Sequence, residues 1–105
     1  MHIQIIRFNL NNATQEQYLA LANSLAPTFA AMPDLLTKYW LADAQQNIYG
    51  GVYVWRNRAA MEAFMRGEVA AAVIAHPSLT NITSNDFEVL DAPTRVTHGL
   101  EALTA

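Results

Sequence analysis

The sequence predicts an α+β fold built as a single domain of 105 residues, with the element order β-α-β-β-α-β. Two patterns indicate this order. Runs of β-branched and aromatic residues have the length of strands, and between them apolar residues recur at three- and four-residue steps, as in amphipathic helices. A third observation concerns assembly, because 52% of the residues are hydrophobic and only 14% are charged. A chain this short cannot bury so much apolar surface alone, so we expect a homodimer.

The first strand and the first helix follow from the N-terminal third of the chain. Residues 2–10 are rich in isoleucine and aromatic residues, which predicts a strand. Thr14 precedes Gln17 by three positions, the spacing of a capping box at the start of a helix. Apolar residues then recur with helical periodicity as far as Met32. Pro27 interrupts this stretch, so a kink or an early end of the helix is expected there.

A hairpin follows in the middle of the chain. Residues 35–42 and 48–55 predict two strands, and the short polar segment between them predicts a tight connection. Gly50 and Gly51 lie inside the second of these strands. Glycine at such a position often marks a bulge or the close approach of another group.

The last elements complete the predicted order. Asn57 is a good N-terminal cap for a helix that stops at Gly67, and residues 68–75 predict a second helical piece. Residues 80–90 predict the fourth strand, and the tail, residues 91–105, is expected to be largely irregular. This is a ferredoxin-like unit, an antiparallel four-stranded sheet whose helices cover one face and leave the other bare.

Charge and composition exclude several classes of function. The formal net charge is −3 and the six basic residues are scattered, so nucleic-acid binding is disfavoured. The chain has no cysteine, and its three histidines lack metal-ligand spacing, so we expect no metal site. No apolar run approaches the roughly 20 residues that span a bilayer, and the N-terminus lacks a signal-peptide pattern. We therefore expect a cytoplasmic protein without a membrane partner.

Side-chain alternation along the strands separates an aliphatic set from a polar and aromatic set. The polar and aromatic set comprises Arg7, Asn9, Lys38, Trp40, Gly51, Tyr53 and Trp55. We expect Val52 and Val54 to face the helices and the polar and aromatic set to face the bare side of the sheet. There Asn9, Trp40, Gly51, Tyr53 and Trp55 would line a substrate cavity. The alternative is that the aromatic residues only fill the space between two sheets.

Lys38 and Arg7 are the candidate catalytic charges, since either could stabilise a developing phenolate or enolate. A structural role is the alternative for both, because each could form an ion pair with Asp86 or Glu88 of the last strand. For Lys38, a solvent-facing position is a further alternative.

His2, His76 and His98 could each act as a base near neutral pH. A structural or solvent-exposed role is the alternative for each. His76 is the strongest candidate of the three because it follows a predicted helix, whose end could overhang the mouth of a cavity.

A recognisable motif lies in the Gly-Gly strand, the helix after it and two residues upstream. Its residues are Gly50, Gly51, Val52, Tyr53, Val54, Trp55, Asn57, Ala59, Ala60, Glu62 and Phe64, with Lys38 and Trp40 upstream. In this motif the chain resembles the YdhR-like mono-oxygenase family, a branch of the dimeric α+β-barrel superfamily. The resemblance runs from the first strand to about Pro93.

The resemblance implies a dimer whose sheets pack together and a cavity beside each sheet for a small aromatic or polycyclic substrate. Related quinone-forming enzymes use molecular oxygen with neither metal nor flavin, so it implies a mono-oxygenase without a cofactor. The protein would deprotonate, orient and shield the substrate. The same superfamily includes cyclases, isomerases, dechlorinating enzymes and heme-degrading proteins. A cyclase or isomerase, or a non-enzymatic ligand-binding dimer, therefore remains an alternative.

Overall fold

The structure is a computed structural model that describes residues 1–99. Within this range, four strands and four helices follow one another along the chain. They are β1 (His2–Leu10), α1 (Gln15–Ala30), β2 (Leu35–Asp43), β3 (Ile48–Trp55), α2 (Arg58–Met65), α3 (Glu68–Ala75), β4 (Leu79–Glu88) and α4 (Asp91–Val96). No helix of these residues is both long enough and apolar enough to cross a membrane.

The four strands form one antiparallel sheet in the order β2-β3-β1-β4. The first and third strands along the chain, β1 and β3, lie at the centre of the sheet, as in a ferredoxin-like unit. The predicted fold class is therefore confirmed. β2 is an edge strand, so any site built on it opens to solvent along one side.

Side-chain caps begin the first two helices as the sequence predicts. The Thr14 hydroxyl accepts a hydrogen bond from the backbone N–H of Gln17 at 3.1 Å, and the Gln17 side chain accepts one from the backbone N–H of Thr14 at 2.9 Å. The Asn57 side chain accepts a hydrogen bond from the backbone N–H of Ala60 at 2.9 Å. Each cap satisfies N–H groups that have no partner within the helix.

Pro27 does not end α1, which continues to Ala30. The final turn closes because the N–H of Ala31 donates to the Pro27 carbonyl at 3.1 Å. Phe29, which is only 3% exposed, anchors this turn to the sheet. The helix thus continues past the proline, and its last turn packs on the sheet through Phe29.

The tail is more regular than expected, because α4 forms at residues 91–96. Pro93 lies in the first turn of α4, where a missing N–H removes no hydrogen bond within the helix. Asp91 adds a negative charge at the positive end of the helix. The rest of the predicted tail, residues 100–105, lies outside the described residues.

The expected facing of β2 and β3 is wrong. The rings of Trp40 and Tyr53 contact Phe29 of α1, with centroid distances of 5.6 and 5.8 Å, and Trp55 contacts Phe64 of α2 at 5.1 Å. The aromatic residues therefore lie beneath the helices. Alanine makes up much of α2 and α3, so large rings from the strands fill the space that these helices leave.

The uncovered face of the sheet carries the aliphatic residues instead. Val52 and Val54 lie on it, paired in register with Ile5 and Ile3 of β1. Its exposed apolar residues include Tyr39, at 56% exposure, and Phe87, at 55%. The alternative in which these aromatic residues fill the space between two sheets is thereby corrected, since the rings of Trp40, Tyr53 and Trp55 pack against helices of their own chain.

Candidate functional site

The strongest candidate site surrounds Lys38, the only lysine of the chain. Its side-chain nitrogen lies 3.5 Å from the ring centroid of Phe29, 3.4 Å from that of Trp40 and 4.4 Å from that of Tyr53. Trp40 and Tyr53 come from neighbouring strands and Phe29 from α1. We call this arrangement the Lys38 box. Trp40 is 37% exposed, so the box meets solvent at the edge of the sheet.

Gly51 makes room for the Lys38 side chain. A Cβ atom at Gly51 would lie 2.9 Å from Cε of Lys38 and 3.3 Å from a ring carbon of Tyr53. The missing side chain thus lets the lysine stem lie flat on β3 and reach the rings. The close approach predicted from the Gly-Gly pair is confirmed at this position.

The preceding residue must be glycine for a different reason. Gly50 has φ +155°, and a Cβ atom there would lie 1.9 Å from the carbonyl oxygen of Ile6. The two strands meet too closely at this point for any side chain.

Burial lowers the pKa of Lys38 to about 7, from an ordinary value of 10.5. The ring faces favour the charged amine and so oppose this shift, but removal from water prevails. Among residues 1–99 the three ion pairs involve other side chains, so no carboxylate holds the amine in its charged form. The alternative in which Lys38 pairs with Asp86 or Glu88 is therefore wrong.

Two tyrosine hydroxyls in the same region stay protonated. Burial raises the pKa of Tyr18 to about 12, with a smaller contribution from Tyr49. Burial also raises the pKa of Tyr53 well above its usual range, with a smaller contribution from Tyr18. Both hydroxyls are thus hydrogen-bond donors at neutral pH, while the nearby amine is partly neutral.

The space around the box is small, about 20 Å³, which holds about one water molecule. A larger cavity of about 280 Å³ adjoins it. The two spaces share Tyr18, Leu21 and Leu79 as walls. A volume of this size is close to the lower end of the range for small-molecule sites.

His76 lines the larger cavity at the C-terminal end of α3, the place expected for it. Its Nδ1 accepts a hydrogen bond from the backbone N–H of Ser78 at 3.1 Å. In the neutral ring the proton then resides on Nε2, so the histidine presents a donor rather than a base.

A chain of hydrogen bonds from buried Trp55 through buried Gln4 to exposed Ser84 was not foreseen from the sequence. The indole N–H of Trp55 donates to the side-chain oxygen of Gln4 at 3.0 Å, and the Gln4 amide donates to the Ser84 hydroxyl at 3.0 Å. Gln4 is 0% exposed. The available signal was its position between Ile3 and Ile5 on a central strand, where a polar residue facing the core must have a partner.

Trp55 stacks on Tyr53 of the box, with a centroid distance of 6.0 Å, but it does not line the space around Lys38. It is 2% exposed and lines a separate cavity of about 390 Å³ with Phe64, Glu68 and Met32. Its expected role in substrate binding would therefore belong to a second region of the same helix-covered face.

Asn9 has a structural setting at the end of β1. Its amide donates to the backbone carbonyl of Asn47 at 2.6 Å and its side-chain oxygen accepts from the Asn81 amide at 2.9 Å. Asn47 and Asn81 both have φ of 54°, in the left-handed region. Asn9 therefore stabilises the backbone at two left-handed positions. It lies away from the Lys38 box.

Arg7 lies on the uncovered face, opposite the Lys38 box. It forms no ion pair within residues 1–99, so the alternative in which it pairs with Asp86 or Glu88 is wrong. Asp86 instead lies 2.6 Å from Nε2 of His2. The register of β1 and β4 explains this result, because Asp86 and Glu88 are opposite Gln4 and His2 and thus share their face, not that of Arg7.

Similar folds occur in solved structures. NE2512, a protein of unknown function from Nitrosomonas europaea, is 18% identical, with a TM-score of 0.74 over 87% of this chain and 90% of that one. SnoaB, a cofactor-independent oxygenase from Streptomyces nogalater, is 18% identical, with a TM-score of 0.66 over 87% and 94%. The heme-degrader MhuD from Mycobacterium tuberculosis, with two hemes bound, is 22% identical, with a TM-score of 0.69 over 88% and 99%. At these identities the likeness concerns the fold alone.

Sequence comparison identifies the family. No curated protein sequence matches the chain. The model of the family described as "Putative mono-oxygenase ydhR" matches residues 3–100. This match spans nearly the whole chain, including β1, the Gly-Gly strand and the Lys38 box, and the protein therefore belongs to that mono-oxygenase family.

Proposed function

We propose that the protein is a cofactor-independent mono-oxygenase that oxidises a small aromatic or polycyclic compound beside the Lys38 box. The observation that carries this proposal is a lone amine held among three aromatic rings, with no ion-pair partner in residues 1–99. The family membership supplies the reaction class, and the box supplies the chemistry that such a reaction needs.

The amine serves first as a base. With a pKa of about 7, roughly half of Lys38 is neutral at neutral pH and can accept a proton from a phenol or an enolisable ketone. The resulting ammonium group then lies beside the new oxyanion in surroundings of low dielectric constant, where it stabilises that charge strongly. The electron-rich anion reacts with molecular oxygen. One oxygen atom enters the substrate as a carbonyl group, and the other leaves with two hydrogens as water.

The substrate enters through the cavity that His76 lines. Its volume of about 280 Å³ accommodates a small ring system, and Tyr18, Leu21 and Leu79 line both this cavity and the space around the box. Displacement of these side chains would join the two spaces. Tyr53 and Trp40 then form aromatic walls, and the N–H of His76 is available to a polar group of the substrate at the mouth.

We propose further that the functional unit is a homodimer joined through the uncovered sheet face. Ile3, Ile5 and Val52 lie on that face, with Tyr39 and Phe87 exposed beside them. A face of this composition fits a buried interface between two sheets. The dimer leaves the helix-covered side of each chain free to receive substrate.

Oxygen consumption tests the proposed reaction. The protein, treated with a chelator and supplied with no flavin, is mixed with a panel of anthrones and dihydroxynaphthalenes. We expect substrate-dependent uptake and, with isotope-labelled oxygen, one labelled atom in the product. Lys38→Met, which keeps the stem but removes the amine, should lower the rate by on the order of a hundredfold. Arg58→Met removes an exposed cation, 71% accessible, and should leave the rate unchanged.

Two results would contradict the proposal. One is a folded protein that consumes no oxygen with any member of the panel. The other is a Lys38→Met variant with the rate of the unaltered protein. Binding of panel compounds without turnover would instead favour a non-enzymatic ligand-binding dimer.

A further inference from the structure

The amine of Lys38 has the features of a nucleophile as well as those of a base. The amine is the only lysine amine in the chain. Three aromatic rings take the place of water around it, and no carboxylate of residues 1–99 pairs with it. An amine in such surroundings loses hydration and gains a large neutral fraction, which are the conditions under which lysines attack carbonyl carbon.

The box is also reachable. Lys38 lies on β2, the edge strand, and is half-buried rather than enclosed. Trp40, on the same face two positions further along, is 37% exposed and forms one wall at the edge. A flat carbonyl compound can therefore approach the amine along the Trp40 ring without crossing the core.

We infer that Lys38 captures aromatic aldehydes and ketones as an imine, an activity separate from the proposed oxidation. The nitrogen lone pair forms a bond to the carbonyl carbon while the carbonyl electron pair moves to oxygen. A proton passes from nitrogen to that oxygen and gives a carbinolamine. Loss of water then breaks the carbon–oxygen bond and leaves the imine. Imine formation by these steps needs neither oxygen nor an external oxidant. It can therefore be tested independently of the proposed mono-oxygenase reaction.

The expected advantage over an ordinary lysine is large. Burial lowers the pKa of Lys38 to about 7, whereas a solvent-exposed lysine has a value of 10.5. At pH 7 about half of the buried amine is neutral, against about one part in 3,000 of an exposed one. A less basic amine is intrinsically a weaker nucleophile, so we expect a net acceleration on the order of a hundredfold.

Reductive trapping tests the inference directly. The protein is incubated at pH 7 under argon with benzaldehyde and cyanoborohydride, and peptide mass mapping locates the adducts. Reduction adds a hydride to the imine carbon, so each modified amine gains the mass of the aldehyde less one oxygen atom. Peptide mapping separates Lys38 from the other primary amine, the N-terminal one. We expect Lys38 to be modified first.

A matched reference comes from the chain itself. Arg66 is exposed and lies outside the box, so Arg66→Lys adds one ordinary lysine to the same molecule. Lys38 should be trapped on the order of a hundredfold faster than this added lysine, and the difference should vanish after denaturation. Lys38→Arg should abolish trapping in the β2 peptide while preserving the circular dichroism spectrum.

Cyclohexanecarbaldehyde, similar in size but without a ring that stacks on Trp40, should react more slowly than benzaldehyde. Equal rates with the two aldehydes would overturn the aromatic part of the inference. The whole inference would be overturned if Lys38 were trapped no faster than the added lysine. It would also be overturned if only the N-terminal amine were trapped.

Discussion

The side-chain nitrogen of Lys38 lies 3.4 Å from the ring centroid of Trp40, two positions along the same strand. Residues two apart on a strand share a face, so this contact is local in origin. The other walls of the box are not local. Phe29 arrives from α1 and Tyr53 from β3, and Gly51 leaves the gap that lets the lysine stem reach them. Chemistry at Lys38 thus depends on three elements, α1, β2 and β3, that folding brings together.

The buried amine predicts an unusual dependence of stability on pH. Folded Lys38 has a pKa of about 7, and in the unfolded chain its pKa returns to 10.5. Between these values the unfolded chain binds a proton that the folded protein has released, so stability rises with pH and is lowest below pH 7. Tyr53 and Tyr18, the titratable groups lining the same space, stay neutral over this range.

Urea unfolding from about pH 6 to about pH 9.5 measures this effect, with Lys38→Met as the reference. The free energy of unfolding of the unaltered protein, minus that of Lys38→Met, should increase steadily across the range. Parallel curves for the two proteins would mean that folding does not lower the pKa of Lys38.

Gly51→Ala should disturb the box without destroying the fold. Its Cβ atom would lie 2.9 Å from Cε of Lys38 and 3.2 Å from the backbone oxygen of Tyr39. The lysine stem can move and the backbone cannot, so we expect the amine to be pushed toward solvent at a cost of about 1–3 kcal/mol in stability. Nuclear magnetic resonance of the single lysine, labelled at Cε, should show its pKa rising toward 10.5.

Gly67→Ala is the matched control for this substitution. A Cβ atom at Gly67 meets its nearest neighbour, the backbone oxygen of Phe64, at 3.3 Å, and lies away from the box. The lysine signal should titrate there as in the unaltered protein. An unchanged lysine titration in Gly51→Ala would show that the glycine does not position Lys38.

Gln4→Leu should destabilise the protein although it replaces a buried polar residue by an apolar one. The substitution leaves the buried indole N–H of Trp55 without its partner, whereas the exposed hydroxyl of Ser84 can bond to water. An unsatisfied buried group costs about 1–3 kcal/mol. Chemical unfolding should register this loss, and Trp55→Phe combined with Gln4→Leu should recover part of it, because the unpaired N–H is then absent. Equal stability of Gln4→Leu and the unaltered protein would contradict this account of the polar chain.

Phe87→Glu should dissociate the proposed homodimer. Phe87 is 55% exposed on the uncovered sheet face, where a partner sheet would bury it, and a carboxylate there would be removed from water without a partner. Sedimentation at micromolar concentration should give twice the chain mass for the unaltered protein and the single chain mass for the variant. Leu19→Glu makes the same change at a residue of α1 that is 56% exposed, and should leave the dimer intact. A monomeric unaltered protein would contradict the proposed assembly.

Local patterns in the chain were sufficient for most elements of the fold. The bounds of β1, β3 and α3 agree with the prediction, and the Thr14 and Asn57 caps form as expected. These features depend on neighbours within a few positions, where alternation, helical periodicity and side-chain capping act. The close approach at the Gly-Gly pair was predictable for the same reason, since only glycine allows it.

Only the tertiary structure decided which face of the sheet meets the helices. Alternation shows that Trp40 and Lys38 share a face, but it does not say whether rings or valines pack under α1 and α2. That choice depends on volume, because the alanine-rich helices leave space for large rings. The same choice placed Lys38 in an aromatic box under the helices rather than on the bare face, where it was expected. Its pKa near 7 arises from removal from water, a property of the packed molecule that no local pattern in the chain encodes.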